Sequence, residues 1–112
     1  HVNNKMSRTF NQKIYEFLKK VPKGKVTTYK ILAKAAGTRA YRAVGQAMRC
    51  NPYAPQVPCH RVVKSDGSIG GFAGSINPKS KEVKRKIRML EREGVGVKDN
   101  KINLKKYLFK FN

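Results

Sequence analysis

Three prolines within seven residues, Pro52, Pro55 and Pro58, place the strongest constraint on how this chain can fold. The proline ring fixes the backbone angle φ and removes an N–H donor, so this segment cannot extend a helix. A cysteine and a histidine follow at once, as Cys59 and His60, although the 112 residues include only two of each. The segment therefore predicts a rigid, non-helical support for two side chains that can do chemistry.

The stretch before the prolines, KVTTYKILAKAAGTRAYRAVGQAMRCNP, predicts two short helices joined by a tight turn. Thr27 or Thr28 can cap the first helix, and Thr38 can cap the second. Gly37 suits the left-handed position that ends a helix. A helix, a short turn with glycine and a second helix together match the helix-turn-helix pattern.

The second of these helices has two different faces on a helical wheel. Its inner face is mainly apolar and contains Ala40, Tyr41, Val44, Ala47 and Met48. Its outer face contains Arg39, Arg42, Gly45, Gln46 and Arg49. Arginine side chains can reach phosphates or base edges, and a glycine lets the helix backbone approach a groove closely. We therefore predict that the outer face contacts DNA, against the alternative of a face exposed only to solvent.

The charge of the whole chain supports this prediction. It has 26 Lys and Arg residues against 6 Asp and Glu residues, a formal net charge of +20. Counterion release makes nucleic acid the preferred anionic partner, ahead of an anionic membrane surface. No apolar run approaches the roughly 18 residues of a membrane span, and no secretory signal is visible. We expect no membrane association and a location in the cytoplasm or nucleoid, or in the nucleus of a eukaryote, where a disulfide is not expected.

Hydrophobic periodicity predicts a further helix on each side of these motifs. Residues 9–12 match a capping box, and the helix that follows should end near Pro22. Asn77 and Pro78 fit the N-cap and first position of the last clear helix. The buried stripe of that helix is predicted to be Val83, Ile87 and Leu90.

These elements predict a mostly α-helical fold with a small β-hairpin that turns at Asp66 and Gly67. We expect residues 9–97 to form one domain and residues 1–8 to be a flexible arm. Residues 98–112 should be a basic, aromatic extension, some of whose side chains pack on the domain.

Three interpretations of Cys59 compete. A zinc site needs about four ligands, and Cys50, Cys59 and His60 are too few and unsuitably spaced. A buried structural cysteine is the ordinary expectation for a lone thiol. A reactive thiolate is favoured here because His60 and Arg61 follow at once in a very basic chain. Adjacent residues of a strand point to opposite faces, so contact between Cys59 and His60 would need a kink or a bridging water.

A histidine base is usually oriented by a third group, which here must be one of few carboxylates. Glu91 and Glu93 flank the apolar stripe of the last helix on either side. The helical wheel does not choose between them.

The segments TTYKILAKAAG, RAVGQAMRCNP, PCHRVV, GSIGGFAGS and EREG resemble, in order and spacing, the DNA-binding, alkyl-accepting domain of the O6-alkylguanine-DNA alkyltransferases. The resemblance covers residues 9–97. It implies a winged helix-turn-helix-like fold that binds double-stranded DNA containing O6-alkylguanine through the minor groove and flips the damaged base into a pocket. It also implies a monomer that transfers the alkyl group irreversibly to Cys59, once per molecule, with neither a metal nor an organic cofactor.

The resemblance assigns roles to individual residues. Cys59 is the nucleophile, and His60 is the base that deprotonates it through a water molecule. Glu93 is the carboxylate that orients His60. Asn51 ties the helix-turn-helix to the active-site segment, and Tyr29 hydrogen-bonds the guanine and protonates it as it leaves.

The expected DNA contacts and pocket walls combine what the resemblance implies with the outer face of the second helix. Arg42 should fill the gap left by the flipped base. The other expected DNA contacts are Thr28, Arg39, Ala43, Gly45, Gln46, Ala47, Arg49 and Arg61. The expected pocket residues are Met48, Val62, Gly71, Phe72 and Ala73, with the carbonyls of Cys59 and Val62 and the amide of Ala73 facing the guanine edge.

Departures from the family pattern keep alternatives open. The ribonuclease H-like domain that usually precedes this one in the family is not part of these 112 residues. Some alkyltransferase-like relatives replace the cysteine and only mark the damage, whereas Cys59 is present here. A winged-helix transcription regulator would explain the basic helix, but not a Cys-His-Arg sequence next to three prolines.

Overall fold

A computed structural model describes the backbone of residues 2–111 and the side chains of residues 10–111. In this part of the chain the fold consists of five α-helices, one 3-10 turn and one pair of short strands. Their order is α1 (Val2–Lys19), β1 (Thr27–Thr28), α2 (Tyr29–Ala35), α3 (Tyr41–Arg49), the 3-10 turn (Cys59–Arg61), β2 (Val62–Val63), α4 (Lys81–Arg92) and α5 (Leu104–Tyr107). The prediction of a mostly helical fold is confirmed. No helix within the described residues is both long and apolar enough to span a bilayer.

Helix α1 begins at Val2, well before the start that the capping box predicted at Thr9. Residues 2–8, expected to be a flexible arm, are therefore part of this helix. Residues 2–19 contain neither glycine nor proline, so the helix can extend towards its N-terminus once its buried side chains hold it in place. The side chain of Thr9, and residue 1 of the predicted arm, lie outside the described residues.

Helices α2 and α3 form the predicted helix-turn-helix. Thr28 caps α2, since its Oγ1 accepts a hydrogen bond of 3.1 Å from the amide three residues later. Gly37 follows α2 with a φ of +75°, which favours glycine. The predicted cap of α3 was wrong: Thr38 Oγ1 accepts a hydrogen bond from the Ala40 amide inside the turn, and α3 begins only at Tyr41. A hydroxyl satisfied within its own turn is not available as a helix cap.

The predicted β-hairpin is not formed, and the two strands are parallel. Thr27 of β1 lies opposite Val62 of β2. The turn at residues 66–67 is present and is closed by hydrogen bonds between Lys64 and residues 67 and 68, but no ladder with β2 continues from it. Instead the Ile69 amide donates to the Asn100 carbonyl, and the Ile102 amide donates to the Gly67 carbonyl. The segment that returns from the turn thus pairs with the C-terminal part of the chain, where Ser68 forms an isolated antiparallel bridge with Lys101.

Helix α4 begins later than predicted. Ser80 is its N-cap, with Oγ accepting a hydrogen bond of 3.2 Å from the Val83 amide. Asn77 Oδ1 instead accepts a hydrogen bond of 2.9 Å from the Lys79 amide, which makes a local turn ahead of the helix. Pro78 therefore lies in that turn and not at the first helical position.

Two clusters of buried side chains hold the elements together. The first lies between α1, α2 and α3 and includes Ile14, Leu18, Leu32, Val44 and Val57. The second lies beneath α4 and includes Val26, Val63, Ile69, Val83, Leu90 and Ile102. The last residues of the chain join both clusters, because Phe109 and Phe111 pack on the first and Leu104 and Tyr107 pack on the second.

Candidate active site

A cavity of about 840 Å³ opens between α3, the 3-10 turn and the loop that precedes α4. Most of the residues predicted for the site line it, namely Tyr29, Arg42, Ala43, Gly45, Gln46, Met48, Arg49, Cys59, Gly71, Phe72 and Ala73. Five further lining residues were not predicted: Lys64, Gly70, Gly74, Ser75 and Ile76. The structure therefore brings the basic helix, the cysteine and the glycine-rich loop to one cavity.

Cys59 is half-buried at this cavity, at the start of the 3-10 turn. Asn51 supports the segment that leads to it. The Asn51 side-chain amide donates a hydrogen bond of 2.8 Å to the Val57 carbonyl, and its Oδ1 accepts one of 2.9 Å from the Tyr53 amide. The Cys59 amide also donates to the Val57 carbonyl, at 2.9 Å. The position of the thiol thus depends on the end of α3 through one asparagine.

His60, Glu93 and Arg61 form a connected group behind the cysteine. His60 Nε2 lies 2.9 Å from Glu93 Oε2, and the imidazole is almost fully buried. Arg61 donates to both oxygens of the same carboxylate, from Nε at 2.8 Å and from Nη2 at 2.7 Å. Glu93, at the C-terminal end of α4, is the carboxylate that contacts the histidine, whereas Glu91 is exposed to solvent.

The surroundings of this group set its protonation. Burial opposes a charge on Glu93, but hydrogen bonds from Arg61 and His60 outweigh it and hold the pKa of Glu93 below its ordinary value. Burial lowers the pKa of His60, against the raising influence of Glu93. The carboxylate is therefore ionised and accepts from Nε2–H, which leaves Nδ1 of a neutral imidazole free to take a proton.

Tyr29 lies on the cavity at the first position of α2. Burial raises the pKa of its hydroxyl, and the nearby Cys59 raises it further when the thiol is ionised. The Tyr29 hydroxyl therefore keeps its proton at neutral pH and can donate it to a group in the cavity.

Lys86, which was not predicted from the sequence, lies directly behind the cavity wall. Its side chain is fully buried, and its ammonium donates to the carbonyls of Val62 at 2.7 Å, Ile69 at 2.6 Å and Gly71 at 3.1 Å. Burial lowers the pKa of Lys86 to about 7. The helical wheel could have predicted its burial, since residue 86 lies on the same stripe of the helix as Val83 and Leu90.

Four predicted site residues do not lie where they were expected. Thr28 is buried and its hydroxyl caps α2, and Ala47 is buried against α1. Both were predicted to contact DNA, but neither is exposed at the protein surface. Val62 is fully buried, does not line the cavity and gives its carbonyl to Lys86. Arg61, also a predicted DNA contact, has all its described hydrogen bonds to Glu93 and to the Val21 carbonyl.

The remaining predicted DNA contacts lie on the exposed side of α3 and its turn. Arg42, Gln46 and Arg49 are exposed at the mouth of the cavity. A Cβ atom added at Gly45 would meet no atom within 4 Å, so this position faces open space. Arg39 lies apart from them, in a second cleft of about 330 Å³ together with Lys30, Lys34, Gly37, Thr38 and Tyr41.

The described residues include no group of three or more His, Cys, Asp and Glu side chains that could hold a metal ion. Cys50 is exposed and Cys59 half-buried, and both are free thiols. Fold and site together define a small helix-turn-helix domain in which a cysteine faces a cavity and a buried histidine–glutamate–arginine group lies behind it.

Comparison with known proteins identifies the family. The sequence-family model for the DNA-binding domain of 6-O-methylguanine DNA methyltransferase matches residues 9–95 of this chain. The methylated-DNA–protein-cysteine methyltransferase of Thermococcus kodakarensis is 49% identical over 87 residues, which cover 77% of this chain and 45% of that protein. The chain belongs to this family, and it spans about half or less of the length of the curated relatives it matches.

Solved structures of related proteins agree with this assignment. S. pombe Atl1, in complex with damaged DNA containing O6-carboxymethylguanine, superposes with a TM-score of 0.78 and 34% identity, covering 92% of this chain and 96% of that one. Mycobacterium tuberculosis OGT in complex with DNA superposes with a TM-score of 0.64 and 39% identity, covering 75% of this chain and 48% of that one. The family supports a role in DNA repair or in the binding of damaged DNA.

Proposed function

We propose that this protein repairs O6-alkylguanine in double-stranded DNA by moving the alkyl group onto the sulfur of Cys59, once per molecule. The observation that supports this most strongly is the position of Cys59. The thiol lies on a cavity large enough for a base, and a neutral histidine with an ionised carboxylate partner is its chain neighbour. We further propose that the protein acts as a monomer, in the cytoplasm or the nucleus, and without a metal or cofactor.

The chemistry follows from the groups at the cavity. The proton of the Cys59 thiol passes through a water molecule to Nδ1 of His60, and the Glu93 carboxylate stabilises the imidazolium that forms. The thiolate attacks the alkyl carbon, so that a carbon–sulfur bond forms as the carbon–O6 bond breaks. The bonding electrons remain on guanine, which takes a proton from the Tyr29 hydroxyl. Tyr29 recovers its proton from solvent, to which His60 releases its own.

The thioether formed on Cys59 is stable to water, and nothing in this scheme removes it. Each molecule therefore reacts once. The backbone of the cavity wall at residues 71–73 should bind the edge of the flipped guanine, and Arg42 should occupy the space that the base leaves in the duplex. The exposed arginines of α3 should supply the salt-dependent attraction to phosphates.

A second candidate function is the binding of damaged DNA without transfer. One observation favours it: S. pombe Atl1, solved in complex with damaged DNA, superposes on this chain with a TM-score of 0.78, against 0.64 for Mycobacterium tuberculosis OGT. The intact Cys59 and its connected histidine favour the first candidate.

Mass spectrometry after incubation with duplex DNA containing O6-methylguanine tests both candidates. Transfer predicts one methyl group on the peptide that contains Cys59 and none in a Cys59→Ser variant. Cys50→Ser is the matched control because it removes the other, exposed thiol, and it should be methylated as fully as the native chain. Binding of damaged DNA with no methylated peptide would refute transfer and support the second candidate.

A further inference from the structure

We propose that Arg61 is a positioning residue of the active site, which fixes the Glu93 carboxylate and shares its charge so that His60 remains a neutral base. This inference rests on the proposed function, because a neutral base matters only if Cys59 must be deprotonated. The residue was expected to contact DNA, and the structure assigns its side chain to the inside of the protein.

Arg61 and Glu93 form a bidentate ion pair. Arg61 Nε and Nη2 donate to the two different oxygens of Glu93 at 2.8 and 2.7 Å, so the carboxylate cannot rotate without breaking one of these bonds. The remaining Nη1 donates to the Val21 carbonyl at 2.7 Å, just after α1. Arg61 is thus anchored independently of the group that it orients.

Glu93 Oε2 is shared by two donors. It lies 2.7 Å from Arg61 Nη2 and 2.9 Å from His60 Nε2. The shared oxygen fixes which edge of the imidazole faces the carboxylate, and the other edge is left for the proton from Cys59. Arginine suits this task better than lysine because its planar fork matches a carboxylate.

The pair is sheltered enough for its charges to matter. The exposed side-chain fractions are 11% for Arg61, 13% for Glu93 and 2% for His60. An unshielded Glu93 would attract a proton to His60 strongly at this distance, since an opposite charge within about 4–6 Å shifts a pKa by roughly 1–3 units. Arg61 offsets that attraction.

Other charges that face His60 act in the same direction as Arg61 or are part of the reaction. Lys86, from the buried side of α4, also lowers the pKa of His60. Cys59 becomes negative only when its proton has moved. Burial, the largest cause of the low pKa of His60, and Lys86 remain when Arg61 is replaced, but one lowering charge is lost, so the pKa of His60 should rise.

The test measures the protonation of His60 directly and the reaction separately. Imidazole signals are followed by NMR against pH in the native chain, Arg61→Met and Arg61→Lys, with His60 identified by its loss in a His60→Gln variant. The rate of transfer from free O6-benzylguanine to the protein is measured over the same pH range, which removes DNA binding from the comparison. Arg92→Met, an exposed arginine next to Glu93 in sequence, is the matched control.

In Arg61→Met we expect the pKa of His60 to rise and the acid limb of the rate profile to move to higher pH with it, with a loss of rate of up to roughly tenfold on that limb and a smaller loss at high pH. Arg61→Lys retains the positive charge but lacks the planar guanidinium that binds both carboxylate oxygens. The pKa of His60 should therefore stay close to that of the native chain, while the rate should be only partly recovered. Arg92→Met should match the native chain.

A rate that falls equally at every pH in Arg61→Met, with an unchanged His60 titration, would overturn the proposal and leave Arg61 a purely structural residue. Should Arg61→Met not fold, Arg61→Gln provides the same neutral comparison with a donor retained for Glu93. A native chain that transfers no alkyl group at all would refute the proposed function, while the NMR titration would still decide whether Arg61 controls His60.

Discussion

Replacing Lys86 with methionine should change how the stability of the protein depends on pH. The side chain is fully buried, and burial lowers its pKa from 10.5 to about 7. In the unfolded chain the side chain is solvated, so it binds this proton up to about pH 10.4. The folded chain releases the proton above about pH 7. Between these values the unfolded state holds more protons, so this group makes the free energy of unfolding rise with pH.

The size of the effect follows from the two pKa values. The difference between 10.5 and about 7 corresponds to about 5 kcal/mol, at roughly 1.36 kcal/mol per pH unit. Below about pH 7 the full cost of burying the ammonium is present, and above about pH 10.4 it is gone. Methionine fills the same space with a long unbranched side chain that does not titrate, so the variant lacks this contribution.

Urea unfolding from about pH 7 to about pH 10 measures the difference between the native chain and Lys86→Met. Tyrosines and cysteines titrate in both proteins, so their contributions cancel in the difference. The free energy of unfolding of the native chain should rise relative to that of Lys86→Met by several kcal/mol as the pH rises. Lys84→Met, which replaces an exposed lysine of the same helix, is the control. Its free energy of unfolding should depend on pH in the same way as that of the native chain. If the free energy of unfolding of Lys86→Met also depended on pH as that of the native chain does, the assignment of a low pKa to Lys86 would be refuted.

Three further changes probe separate parts of the site and fold. Glu93→Gln should slow alkyl transfer without weakening DNA binding, as measured by single-turnover rates and binding titrations, while Glu91→Gln should alter neither; an unchanged rate in Glu93→Gln would remove the carboxylate from the mechanism. Arg42→Ala should reduce transfer from duplex DNA more than transfer from free O6-benzylguanine, and an equal loss on both substrates would contradict its role in base flipping. Ser80→Ala should lower the free energy of unfolding by about 1 kcal/mol through loss of the α4 cap, and an Asn77→Ala variant that costs more would show that the cap is misassigned.

Local chemistry made much of the fold predictable. Thr28 and Gly37 occupy a cap and a left-handed turn, where few residue types are favourable, so the helix-turn-helix could be recognised from its ends. The cap of α4 was predicted three residues too early, at Asn77 instead of Ser80. Asn77 and Ser80 are both good caps, and only the local turn at Asn77 leaves Ser80 to begin α4.

Long-range contacts made the rest unpredictable. The wheel places Lys86 on a buried stripe, but no local rule says that the carbonyls of Val62, Ile69 and Gly71 converge on it. Arg61 follows the reactive pair in a very basic chain, and its charge favoured a DNA contact. Its partner Glu93 is distant in sequence, and their pairing depends on the packing of α4 against the 3-10 turn.

The hydrogen bonds between the C-terminal segment and Val26 bear on how this domain can be handled in the laboratory. The Val26 amide donates to the Tyr107 carbonyl at 2.9 Å, and the Phe109 amide donates to the Val26 carbonyl at 2.8 Å. Cutting the chain at residue 97, where the family resemblance ends, would uncover Val26 and remove Phe111, whose ring packs against Phe17, together with Phe109. A chain shortened in this way should therefore be prone to aggregate, and an affinity tag or fluorescent fusion placed after residue 112 needs a linker that leaves Phe111 in place.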